Sequence, residues 1–353
     1  MFAGTAYNSS SRLQCQGHVK GDSATRSSFL DIFRIILCLG VVVYHYTPVR
    51  PSSGPFMVNG FFVMSGFLLA IIYVRRPFIL DSFYGKKVLR LLPMFLAAIF
   101  LGVIFRVATG HPIPESFSWG NFDIVFFCMY YDTPLWYMAV EFVLLLIAPF
   151  FIFIQQKKIL GIFTLIITFI VSLLFLKVSP GSCFADGLYF SPFARSFQFL
   201  IGMYSAYVFA KYRDSKFFNS VFSKVITYVL FSIFLILAVF FMVVKQKEHM
   251  QYWNYSFMFT LLSSLFMAIL IPFIYNFRLK FTIAWSQTLT YIALLTYPIY
   301  LFHVVVYQYV YVFLNDVLNM NNFSLVILLS VLFTIIGSCL CMYVEKRFIR
   351  AKS

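Results

Sequence analysis

Charge is scarce in this chain. Asp, Glu, Lys and Arg make up only 11% of its 353 residues, and Asp and Glu number just 12. A soluble globular domain carries about a quarter charged residues, so that class is excluded. Strict alternation of apolar and polar residues is also missing, and runs such as 159–176 show none of it. Closed membrane β-barrels, built from short two-faced strands, are therefore excluded as well. The six cysteines follow no metal-ligand spacing, a disulfide framework is not expected, and the five histidines form no HExxH or other zinc pattern. No internal repeat of fixed period is visible, so the inverted-repeat sign of many secondary transporters is lacking. The first 28 residues are polar and Ser-rich without an apolar core, and they read as a mobile cytoplasmic tail.

What remains is overwhelmingly apolar: 61% hydrophobic and 21% aromatic residues, gathered in many long runs. Runs of about twenty apolar residues predict an all-α polytopic membrane protein. Ten spans are expected, at 29–47, 56–74, 91–108, 133–154, 159–178, 193–210, 225–244, 256–275, 285–313 and 323–344, with both termini cytoplasmic and a short tail at 345–353. With this topology the outer loops and helix ends hold only Arg50, Lys177, Arg195, Lys245 and Lys247, Arg34 and Arg106 lie within spans, and all other Lys and Arg fall inside. The positive-inside rule thus explains most of the net charge of +15 without a nucleic-acid partner. Between spans three and four, 109–132 is the longest outer stretch, and its apolar run 124–131 reads as re-entrant or interfacial. Thr133 and Pro134 read as the cap and first residue of the fourth span.

Against this background the first span is unusual, because it carries Asp31, Arg34 and His45. Eleven residues of helix turn through about 1100°, so Arg34 and His45 point within roughly 20° of one direction, about 16 Å apart along the axis. Asp31, one turn before Arg34, is placed to pair with it. An intramembrane polar stripe of this kind marks a functional site. His45 ends its span near the outer face, Glu141 lies about 12 Å below that face, His303 comes late in the ninth span, and Arg195 opens the sixth. Asp31, Arg34 and the basic cluster Arg75, Arg76, Lys86, Lys87 and Arg90 occupy the inner half. Two polar zones on opposite sides of the bundle are the expectation.

Several local patterns coincide with one family. They are Leu30-Asp31 and Arg34 with ten residues between it and His45; Phe61 to Phe67 with Ser65-Gly66; Lys86-Lys87 and Arg90 to Pro93; Leu135-Trp136-Tyr137 and Glu141; Arg195, Phe199 and Gly202; Tyr297-Pro298 with Tyr300 to His303; and Glu345-Lys346-Arg347. In this order, over nearly all of the chain beyond the tail, the sequence resembles the integral-membrane O-acyltransferases of the acyltransferase 3 family. Lys86 and Lys87 stand where arginines are commoner in that family, and the N-terminal tail is longer than most.

The resemblance implies acyl transfer, most like that of bacterial O-antigen acetylases in the inner membrane. The donor is then acetyl-coenzyme A from the cytoplasm, with no permanently bound cofactor and no metal, and the acceptor an undecaprenyl-linked or surface glycan. Such a reaction needs a base for the hydroxyl proton, a stabiliser for the oxyanion and a place for the acyl carrier. His45 suits the base, with helix packing and substrate binding as its other readings. Arg34 is either a fixed cation for donor oxygens or the neutraliser of Asp31. The 75–90 cluster is either plain inner-face charge or the landing site of the donor phosphates. Glu141 is expensive on an apolar face and is read as part of the site, orienting His45 or His303. Trp136 and Tyr137 serve a sugar or an interfacial belt, Arg195 a substrate or a headgroup, and Tyr300 with His303 a polar partner or packing. Ser65 has no G-x-S-x-G elbow, which argues against a nucleophilic serine, and Gly66 reads as a close-packing residue. Two rivals follow from the same residues: a transporter or flippase using Asp31, Arg34 and His45 as a relay, and a glycan polymerase, for which the outer loops are short.

Overall fold

Ser27 marks where the polar N-terminal segment ends. Its hydroxyl accepts from the Leu30 amide and donates to the Ile274 carbonyl 3.0 Å away, which pins the start of α1 (Ser28–Tyr46) to a helix far along the chain. Ser27 and Ser28 therefore belong with the membrane bundle, not with a tail. The computed structural model describes residues 27–47, 53–74, 79–110, 134–155, 157–177, 190–243, 253–279, 281–345 and 347. The rest of the expected N-terminal tail, the apolar run at 124–131, Thr133, and Arg75 and Arg76 lie outside the described residues.

Nine more α-helices follow among the described residues, with no strand: α2 (Ser53–Tyr73), α3 (Leu80–Ala108), α4 (Leu135–Gln155), α5 (Lys158–Lys177), α6 (Pro192–Tyr212), α7 (Val221–Val243), α8 (Trp253–Asn276), α9 (Ile283–Val312) and α10 (Phe323–Val344). A π turn, Phe313–Val317, prolongs α9. Side-chain caps open several of them: Ser191 accepts from Phe193 N ahead of Pro192, Thr282 from Trp285 N, and Asn322 from Leu325 N. Each corresponds to one expected span. By length and composition, eight stretches among the described residues are apolar enough to cross a membrane, which makes this an all-α membrane protein. The main departure is α3, which starts at Leu80 instead of about 91. Hydropathy marks only the membrane-embedded part of a helix, and Lys and Arg are good helix formers, so the polar turns carrying Lys86, Lys87 and Arg90 simply continue it.

Burial sorts these helices. Peripheral α5, α7 and α10 turn large apolar side chains outward, with Ile159, Ile236 and Leu328 among the most exposed. In water such a surface would be untenable, whereas in lipid it is the solvated one. At the centre lies α2, packed against α1, α4, α6, α7 and α8. Its tightest partner is α6, the polar helix that carries Arg195, Ser196 and Gln198 yet buries all three. The two cross at glycines. A Cβ on Gly66 would overlap the backbone carbonyl of Phe199, and one on Gly202 would overlap that of Val63. Small residues let helix backbones approach this closely, which is how van der Waals packing holds bundles together without a hydrophobic force between helices.

Candidate active site

Five helices, α1, α2, α3, α4 and α9, line a partly open cavity of about 210 Å³. Its polar wall consists of Arg34, Ser65, Tyr137, Glu141, Thr296, Tyr297 and Tyr300, and most of the remainder is Phe61, Leu68, Leu91, Met138 and similar apolar groups. Glu141 is only 4% exposed, and its Oε1 accepts a hydrogen bond from the Ser65 hydroxyl. Arg34 reaches Asp31 at 3.8 Å, and Asp31 also accepts from Thr290 at 3.2 Å. The carboxylate that steadies Arg34 thus sits behind it and does not itself line the cavity. Two tyrosine hydroxyls lock the walls: Tyr297 donates to the Leu91 carbonyl at 2.7 Å, holding α3, and Tyr300 donates to the Pro134 carbonyl at 3.1 Å, holding the entry to α4.

One ring beyond the cavity is a pair of histidines. Tyr300 lies 5.9 Å, centroid to centroid, from His303, whose ring is 5.2 Å from that of His45 in an edge-to-face arrangement. His303 is completely buried. Its Nδ1 lies 2.8 Å from the Tyr300 carbonyl and 3.2 Å from the Ile299 carbonyl, and because carbonyl oxygens only accept, Nδ1 carries the proton. Nε2 is left as a bare acceptor with no partner among the described residues. Tyr46 closes the cluster by donating to the His303 carbonyl at 2.9 Å and meeting the Thr334 hydroxyl at 3.2 Å.

The expected separation into two distant zones is not what the structure shows: Arg34 and Glu141 share one cavity wall. Helix register gave their depths along two axes but not how α1 and α4 are shifted past each other. Glu141 meets Ser65, and His45 is not among the residues lining the cavity, although it stands on the helix that supplies Arg34. Trp136 and Tyr137 are 8% and 7% exposed, so neither forms a lipid-facing belt. Tyr137 faces the cavity, while Trp136 packs on Phe190 and under the Arg195 guanidinium, 5.4 Å from the ring centroid. Arg195 is wholly buried, which removes the headgroup reading, and it donates to Asn59 Oδ1 at 3.2 Å; Asn59 in turn donates to Ser263 at 2.8 Å. Lys86, Lys87 and Arg90 ride on the helix that presents Leu91 to the cavity.

Sequence reasoning passed over Asn59, Thr290 and Thr296. The one available signal was polarity: Asn59 interrupts an otherwise apolar span, and an intramembrane amide needs a partner.

A helical membrane bundle around a largely apolar cavity that holds a guanidinium and a buried carboxylate is the class that this fold and site define. Residues 27–343 match the Acyltransferase domain, and the chain belongs to that family, acyltransferase 3. Over 215 residues it is 26% identical to "Putative peptidoglycan O-acetyltransferase YrhL" of Bacillus subtilis (strain 168). That similarity takes in 53% of this chain and 34% of the relative, so the chain spans well under two thirds of the relative's length. No solved structure matches the chain.

Proposed function

We propose that the protein is an O-acetyltransferase that moves an acetyl group from cytoplasmic acetyl-coenzyme A to a hydroxyl of a lipid-linked or cell-surface glycan, with lipopolysaccharide O-antigen as the favoured acceptor and the bacterial inner membrane as its location. The observation that carries this reading is the single cavity lined by both Arg34 and the Ser65–Glu141 pair. Its 210 Å³ fall short of the ~300–1,000 Å³ of pockets that enclose drug-sized ligands. The cavity therefore takes the acyl thioester end of the donor, and the nucleotide end stays outside, near the basic cluster of Arg75, Arg76, Lys86, Lys87 and Arg90. The name of the Bacillus relative, a peptidoglycan O-acetyltransferase, supports acetyl as the group and a glycan as the acceptor.

In this reading the Arg34 guanidinium, oriented by Asp31, holds a donor oxygen on the coenzyme side of the thioester. His45 takes the proton of the acceptor hydroxyl as that oxygen attacks the carbonyl carbon of an acyl group presented at the Tyr300 end of the cavity; the C–S bond breaks, and the protonated imidazole returns the proton to the departing thiolate. His303, fixed with Nε2 bare, accepts from the protonated His45 ring. Glu141 balances the Arg34 charge within the cavity and holds Ser65. Tyr137, Tyr300, Trp136 and Arg195 shape the acceptor side.

The test is purified protein with labelled acetyl-coenzyme A and a lipid-linked glycan. Alkali-labile label on the glycan is the expected result. Uptake into vesicles without covalent label would instead support a transporter.

A further inference from the structure

A second cavity, of about 630 Å³, lies at the end of the bundle where α6 passes to α7 and α8 passes to α9. It shares no residue with the acyl cavity. Lys224 and Arg278 both line it, and none of its lining residues is acidic. Asn276 donates to the Phe218 carbonyl at 3.0 Å and so closes its back wall between α8 and the α6–α7 connection. Ser223, 3% exposed, also lines the cavity; its amide donates to the Ser220 hydroxyl and its carbonyl accepts from Thr227. Two cations and the buried Ser223 converge on one space at a helix start, where amide dipoles also favour negative charge.

We propose that this pocket binds a phosphate group, and that the group belongs to an anionic phospholipid. The source follows from what adjoins the pocket. From Val221 to Phe240, α7 presents an exposed apolar flank, with Val225, Val229 and Ile236 all facing outward. Acyl chains lie along that flank while the headgroup phosphate enters between Lys224 and Arg278. Basic pockets between membrane helices recognise anionic headgroups in this way. A soluble phosphate would use the same cations without needing the flank.

The test uses the full chain in nanodiscs of equal phosphatidylglycerol and phosphatidylcholine, with retained lipid counted by native mass spectrometry after release into detergent. A K224Q/R278Q variant should lose phosphatidylglycerol retention roughly thirtyfold, since each basic side chain near an anionic headgroup is worth about fivefold. The charge-conserving K224R/R278K variant should keep it, and both changes sit on exposed side chains that leave helix packing intact. Equal lipid retention by wild type and K224Q/R278Q, together with thermal stabilisation of wild type alone by inorganic phosphate, would overturn the lipid source and keep the phosphate chemistry. Equal retention with no phosphate-dependent stabilisation would overturn the proposal altogether.

Discussion

The Ser65 hydroxyl of α2 donates to Oε1 of Glu141 on α4, in the same cavity wall that Arg34 occupies from α1. The bond ties the central helix to the helix that opens beside Tyr300, and it leaves a buried carboxylate facing a guanidinium-lined space. Glu141→Gln removes the charge but not the volume. It should lower turnover about ten- to a hundredfold while the protein still accumulates in the membrane, the range set by weakening one hydrogen bond to a charged group. Activity per milligram of purified protein measures it. Wild-type turnover in the Gln variant would leave Glu141 as a packing residue.

The same pair is open to a thermodynamic cycle. Ser65→Ala and Glu141→Leu, alone and combined, should show a coupling of about 0.5–3 kcal/mol, since contacting polar partners are not additive. Thermal unfolding in detergent across the four proteins reads this, and additive shifts would show that the hydrogen bond contributes nothing to stability.

His303 offers a test of tautomer. With Nδ1 committed to backbone carbonyls, only the Nε2 lone pair is left to serve His45. Glutamine keeps an acceptor of similar reach and leucine does not, so His303→Gln should retain at least about tenfold more transfer activity than His303→Leu, a gap within the usual worth of one hydrogen bond to a charged group. Equal losses would reduce His303 to a space-filling role.

The crossing of α2 and α6 makes a sharper stability prediction. Neither Phe199 nor Val63 can withdraw a backbone carbonyl as a flexible side chain withdraws its tip, so Gly66→Ala and Gly202→Ala each force the helices apart. A loss of about 1–3 kcal/mol or more is expected from such overpacking, seen as a lower unfolding temperature and weaker expression. Gly337→Ala, where nothing lies near the added carbon, should be neutral and serves as the control.

Arg195 separates charge from shape. A lysine keeps the cation but cannot both stack on Trp136 and donate to Asn59 as a planar guanidinium does. Arg195→Lys should therefore destabilise the bundle nearly as much as Arg195→Gln, checked by detergent melting curves. Full stability in the lysine variant would mean that position 195 requires charge alone.

The spans were legible because a bilayer imposes a length of about twenty apolar residues, and eight of the ten described helices contain such a run. The first eleven residues of α3 were not, since the same signal is silent about a helix once it leaves lipid. Gly66 could be read as a close-packing residue from its size and setting, but its partner across the crossing depends on contacts distant in sequence. The site behaves likewise. Arg34 and Glu141 were identifiable one at a time as ionisable groups in apolar runs, yet their convergence depends on how five helices pack. The contact between His45 and His303 spans most of the chain, and no local periodicity encodes it.

The central claim, that the cavity beside Arg34 receives the acyl end of the donor, can be tested by a photoreactive acyl-coenzyme A whose diazirine sits in the acyl group. Irradiation of the purified protein followed by peptide mass spectrometry should place adducts on Met64, Tyr137 or Met138, with excess acetyl-coenzyme A suppressing them. Adducts confined to residues outside this cavity, equally suppressed by acetyl-coenzyme A, would contradict the account.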